Sequence, residues 1–211
     1  GWAHSLALCE DGSVVAWGYN GYGQCNVPDG LVAIEVAGGA NHSLAIREDG
    51  SVVAWGYNNG GQCNVPDGLV AKQVSAGWAH SLALCEDGSV VAWGSNSCGQ
   101  CDVPDGLVAK QVSTRADTSL ALCEDGSVVM WGDNSCGQCD VPDGLVAKLA
   151  SVGNLHALAI REDGSVVAWG ENEDGQCNVP DGLVATWVAG GGIHSLIVCE
   201  SGSVIARGYN G

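Results

Sequence analysis

His42-Ser43-Leu44-Ala45-Ile46-Arg47-Glu48-Asp49-Gly50-Ser51-Val52-Val53-Ala54-Trp55-Gly56 decides the reading of this chain. Two short apolar segments flank an Asp-Gly pair. Glycine accepts a positive φ at little cost, so the stretch reads as a β-hairpin. The same stretch returns along the whole sequence. His4, His42, His80, Thr118, His156 and His194 follow one another at a constant interval, as do Trp17, Trp55, Trp93, Trp131, Trp169 and Arg207. The interval is thirty-eight positions, without insertion or deletion. The chain of 211 residues is five such units and a partial one, Gly191–Gly211, that matches Gly1–Gly21. Such a period is the mark of a repeat architecture. No linker or composition shift interrupts it, so residues 1–211 read as one repeat domain.

Within a unit, His4–Cys9 and Ser13–Trp17 read as paired strands, and Gly18–Gly23 as a loop. Gln24–Pro28 reads as a short edge strand, since proline suits an edge. Leu31–Val36 reads as a further strand. No segment has the length and 3.6 periodicity of an amphipathic helix. Val14, Val15, Ala16 and Trp17 are all apolar, so both faces of the sheet need cover. Small sheets stacked on one another meet that need. The expected fold is all-β: a propeller-like array of about six short antiparallel sheets, or else an open β-solenoid or superhelical stack.

Composition narrows the function. Asp and Glu number 24 against 7 Lys and Arg, a net charge of −17. That balance argues against nucleic acid and anionic membrane as partners, because both require clustered cations. No apolar run is long enough to span a bilayer, and no targeting segment is visible, so the compartment is left open.

The run His42-Ser-Leu-Ala-Ile, Asp49-Gly50, Val52-Val-Ala-Trp55-Gly56, Asn58 and Gly61-Gln62 resembles the repeat of the regulator of chromosome condensation family. The resemblance extends over the whole chain. It implies a β-propeller with one short sheet per repeat, the Leu31-type strand innermost and the Gln24–Pro28 segment outermost. It also implies an exchange-factor role on a small GTPase as an alternative function. Repeats in that family are roughly a dozen residues longer, so the outer strand is expected to be short or missing here.

A residue present in every unit is expected to build the unit. The five histidines therefore read as recurring strand-start hydrogen-bonding groups, and the tryptophans as packing between sheets. Residues that vary between units mark the candidate interaction loops: Trp2, Tyr19, Tyr22, Tyr57, Trp78, Arg115, Asp117, Glu171, Glu173 and Asp174. Loops on a rigid scaffold commonly carry binding. In the fourth unit Arg115 and Thr118 replace the glycine and the histidine together.

There are 11 cysteines. Cys9, Cys85, Cys123 and Cys199 share a phase with Arg47 and Arg161, which places them near solvent. Cys98-Gly-Gln-Cys101 and Cys136-Gly-Gln-Cys139 have the composition of a four-thiolate zinc site, but the gap between them is longer than such sites use. Those four read as disulfide or free-thiol sites. Glu171–Asp174 offers oxygen ligands without the spacing of a calcium loop. The expectation is a non-enzymatic scaffold without metal or cofactor, binding a protein partner or further copies of itself as a homo-oligomer or filament.

Overall fold

The computed structural model describes residues 1–209; Asn210 and Gly211, the end of the partial unit, lie outside the described residues. Among the described residues, seventeen strands form six separate antiparallel sheets. The first sheet pairs β1 (His4–Leu8) with β2 (Val14–Gly18). The second runs β3 (Glu35–Gly38), β4 (His42–Ile46), β5 (Val52–Gly56), and the third β6 (Gln73–Ala76), β7 (His80–Leu84), β8 (Val90–Gly94). The fourth has β9 (Ala109–Arg115), β10 (Thr118–Cys123) and β11 (Val128–Gly132). The fifth has β12 (Leu149–Val152), β13 (His156–Ile160) and β14 (Val166–Gly170), and the sixth β15 (Ala185–Gly190), β16 (His194–Cys199) and β17 (Val204–Gly208).

Each sheet is one blade. The Asp-Gly hairpin forms as expected: Gly50 has φ 79°, and Asp49 Oδ1 accepts the amide of Ser51 at 2.9 Å. Two strand readings shift. The inner strand begins at Glu35 instead of Leu31; before it, Leu31–Ile34 crosses the hairpin turn, with Val32 bridged to Ser13 and Ala33 N bonded to Gly12 O at 2.8 Å. Gln24–Pro28 is a turn and not an edge strand. In the next unit Asn58 Oδ1 accepts Cys63 N, and Gln62 Oε1 folds back to accept Gly60 N, so side chains take the place of a ladder.

The middle strand alternates large and small. In β4, Leu44 and Ile46 face the third blade, where they pack with Ala71, Val74, Ala83 and Trp93. Ala45 faces the other way, into a cluster with Leu31, Ala33 and Trp55. The core is therefore a series of clusters between blades, each repeating the last. Both faces of every internal sheet are covered, as the unbroken apolar strands require.

The blades converge on an axis. Side chains of the inner strands reach the backbone of the next inner strand: Gln73 Oε1 accepts Val112 N at 2.9 Å, and Gln111 Nε2 donates to Ala150 O at 2.8 Å. Trp2 and Trp78 come from blades two units apart, yet their rings lie 5.9 Å apart. A straight stack would hold them about 20 Å apart, since sheets pack about 10 Å apart. The array is thus propeller-like and not an open solenoid.

Trp93 is 7% exposed between blades, whereas Trp17 on the flank of the first sheet is 53% exposed. Trp93→Ala is expected to cost about 3–5 kcal/mol. Trp17→Ala should cost under about 1 kcal/mol, because it removes little buried area. Urea midpoints of the two variants check this; equal losses would contradict packing between blades.

Candidate interaction face and the joint beneath it

The joint between blades is built from three recurring polar groups. His42 Nε2 lies 3.1 Å from Ser81 Oγ on the next blade, and Ser81 Oγ donates to Gln62 O at 3.0 Å. Trp93 Nε1 donates to the same carbonyl at 2.9 Å. The serine's one proton goes to the carbonyl, so the imidazole must carry its proton on Nε2 and donate it. His4 with Ser43, His80 with Ser119 and His156 with Ser195 repeat the contact. Four of the five histidines are structural, as expected, but the bond crosses to the neighbouring blade instead of closing the strand's own start; His194 is exposed. The serines and glutamines that make the joint are fully buried and are not marked out by the sequence reading above; the available signal is their recurrence, glutamine in every full unit and serine in every unit but the fifth, which has Ala157.

Burial keeps these rings neutral. His42 is held down at about 3, with the charges of His80 and His4 adding to desolvation; His80 is held at about 4 by burial, and His156 at about 4 by burial with smaller contributions from His194 and Arg115. Protonation would place a hydrogen on Nδ1, which is buried without a partner in all three rings.

A glycine faces each ring. A Cβ at Gly39, Gly77 or Gly153 would lie within 2.6 Å of the imidazole of His42, His80 or His156. The fourth unit shows the linkage by losing it. Arg115 stands at the glycine position, Thr118 replaces the histidine, and Ala157 replaces the serine that this histidine would have met. Three substitutions in two blades are one change. Thr118 Oγ1 bonds instead to Asp133 O at 3.2 Å.

The variable loops gather on one rim. Tyr19 N, Tyr57 N, Asp133 N and Glu171 N each donate to the turn before the middle strand, at Ala3 O, Asn41 O, Asp117 O and Leu155 O. Loops after the outer strand and turns before the middle strand therefore share an edge of the array. All ten candidate residues lie there, while the Glu-Asp-Gly turns line the opposite rim. Trp2 is 70% and Trp78 52% exposed, and they form one aromatic pair. Tyr19, Tyr22 and Tyr57 form a second group, with centroids 6.0 and 4.8 Å apart. Arg115 and Asp117 sit at the turn between β9 and β10. Asp117 Oδ1 accepts Gln100 Nε2 at 2.8 Å, and burial raises its pKa. Glu173 and Asp174 are exposed, and Glu171 is partly covered, its Oε2 3.4 Å from Gln176 Nε2. Asn154, the partner of Arg115, was not singled out in the sequence; its Oδ1 accepts Arg115 Nε at 3.0 Å.

Comparison with known proteins agrees with this geometry. The regulator of chromosome condensation (RCC1) repeat matches residues 1–24, 33–62, 71–100, 109–138 and 146–176. The chain belongs to the RCC1 repeat family. No curated protein sequence matches it significantly. Among solved structures, Prp20p from Saccharomyces cerevisiae is 21% identical with a TM-score of 0.86, over 99% of this chain and 70% of that one. Human WBSCR16 is 18% identical, TM-score 0.81, over 99% and 75%. The ectodomain of the Physcomitrella patens receptor kinase CR4 is 18% identical, TM-score 0.82, over 98% and 59%. At such identities the likeness shows the propeller fold alone.

In this RCC1-type chain all eleven cysteines are free thiols. Cys98 and Cys136 are exposed. Cys101 Sγ and Cys139 Sγ each lie 3.2 Å from a backbone oxygen, of Ser95 and Asp133. Burial, with nearby carboxylates, pushes Cys101 and Cys139 up to about 11. Thiols held that high are poor nucleophiles. Cys9 is exposed as its phase suggested, but Cys199 is buried, a correction to the solvent placement of that set; Cys199 N and O form the base of the last hairpin turn. Among the described residues no group of three or more His, Cys, Asp or Glu is placed to hold a metal ion, Glu171–Asp174 included.

Two outcomes follow from the joint. A base whose folded pKa is lowered binds fewer protons folded than unfolded, so stability falls as pH drops below about 6.5, towards the folded values of about 4 and 3. Each ring contributes on the order of 3 kcal/mol across that window. Urea midpoints from pH 7.5 to 4.5 should fall steadily, and less steeply in His80→Gln; a flat profile would contradict the neutral joint. In the fourth unit, Thr118→His alone should destabilise, because Arg115 Cβ occupies the ring's place. Adding Arg115→Gly and Ala157→Ser should recover about 1–2 kcal/mol beyond additivity, read as the coupling in a mutant cycle.

Proposed function

We propose that this chain is a non-enzymatic scaffold that binds a protein partner through the rim carrying Trp2, Tyr19, Tyr22, Tyr57, Trp78 and Arg115. The observation that carries the reading is the gathering of these side chains on one edge of a rigid array. Tryptophan, tyrosine and arginine dominate binding energy where proteins meet. The related fold supports a protein partner: Prp20p has been described with binding to Gsp1p and histones, and in complex with Kap60. Support for the non-enzymatic half comes from the titratable groups. His42, His80 and His156 are neutral and locked into the joint, and the thiols of Cys101 and Cys139 are raised to about 11.

Self-assembly is the second half of the reading. The first sheet presents Ser5, Val15 and Trp17 to solvent, and the sixth presents His194. Those are the two sides of the internal joint, where a histidine meets the next blade's serine. Copies of the chain would join through them. The second reading is a guanine-nucleotide exchange or regulatory role on a small GTPase, and its support is membership of the RCC1 repeat family.

A photoreactive side chain at Tyr19 or Tyr57 is expected to give protein adducts, while one at Asp87 on the opposite rim gives none. Equal adducts from both rims would sink the interaction-face reading. A clear rise in nucleotide release from Gsp1p would replace it with the exchange reading. Native mass under non-reducing conditions tests assembly: multimers lost in Ser5→Arg support it, and monomer alone contradicts it.

A further inference from the structure

We propose that the axial cleft of the rim is a receptor for a single carboxylate side chain, Asp or Glu, presented by a protein partner, with Arg115 as its anchor and Trp2 and Trp78 as its apolar wall. The cleft is formed by turns from five successive blades and has a volume of about 70 Å³. A pocket for a whole small molecule is several times larger. This one has room for a side chain.

Arg115 is the only charged side chain lining it; the α-amino group of Gly1 lies beside it, its pKa lowered by burial and by Arg115. The Arg115 Nε is bonded to Asn154, which fixes the guanidinium plane. The Nη groups have no hydrogen-bond partner among the described residues and remain for a bidentate acceptor. Burial lowers the Arg115 pKa, and no carboxylate among the described residues offsets it. The adjacent Asp117 turns away to Gln100. An uncompensated, partly buried cation in a chain of net charge −17 is the reverse of what composition favours. The open Nη edge of a planar guanidinium matches the two oxygens of a carboxylate.

The structure also bears a cost at this position. Ala116 has φ 46°, the only positive value at a non-glycine among the described residues, and such a residue is strained. Its carbonyl accepts Trp78 N at 2.8 Å, so the strained turn holds Arg115 and Trp78 in one unit. The same turn is where the Gly–His–Ser joint is replaced. A joint was given up, and an arginine was placed on the axis.

The proposal rests on the interaction rim and deepens it. The test is an NMR titration of the ¹⁵N-labelled chain with N-acetyl-Leu-Glu-Leu-amide. Its Gln counterpart, sodium acetate and inorganic phosphate serve as the other arms. The Arg115 Nε–H and the Trp2 and Trp78 indole signals should shift saturably with the Glu peptide, and about tenfold more weakly with the Gln peptide. Acetate should shift Arg115 alone. Arg115→Gln should abolish the response while leaving signals of distant blades unchanged, and Trp78→Leu should weaken it. Equal binding of Glu and Gln peptides, tighter binding of phosphate, or an unchanged Arg115→Gln response would overturn the proposal. Adducts at Tyr19 or Tyr57 would still form in that event, so the failure of the carboxylate site and of the interaction rim are distinguishable.

Discussion

A neutral imidazole that crosses from one sheet to the next is the constraint on which the array depends. Its proton goes to a serine, the serine's proton to a glutamine carbonyl, and the tryptophan of the same blade shares that carbonyl. The ring needs a glycine opposite it, because a Cβ there would overlap the imidazole. Gly, His, Ser, Gln and Trp therefore recur as one device, and their common period follows from geometry. Leucine and isoleucine of one middle strand fill the space against alanine of the next. Polar joint and apolar cluster together set the angle between blades, and the inner edges meet at the axis.

Much of this was legible. The constant repeat period, the Asp-Gly hairpin, the covered faces and the tryptophans packed between sheets all follow from the sequence pattern. The inner strand was placed too early because Leu31–Ile34 has the same apolar pattern whether it is laddered or laid across a turn. Gln24–Pro28 resembles an edge strand in sequence because side-chain bracing by Asn and Gln leaves no periodic signal. The destination of the histidine bond was hidden, since recurrence says that a residue is structural without saying which blade it touches. The fourth unit held the clue: Thr118 and Ala157 depart from the repeat together although they belong to different blades.

Candidate loop residues were identified by their departure from the repeat, and the fold places them on one rim. Their joint position was not legible, because it depends on strand ends converging about an axis. Arg115 in particular stands out as an irregularity, but its freedom from any carboxylate among the described residues is a fact of three dimensions. A rigid array with a uniform underside and a varied rim separates stability from recognition. The fourth-unit change that reaches the joint is accommodated in both blades it touches, and Arg207, at the tryptophan position of the sixth blade, bonds to Asn178 O instead.

The most direct test of this account is the proximity of the Trp2 and Trp78 indoles, which lie 5.9 Å apart across the axis although they belong to the first and third blades. A nuclear Overhauser effect between their ring protons is expected. Its absence, with the two rings separated by the roughly 20 Å of a straight stack of sheets, would contradict convergence of the blades on an axis.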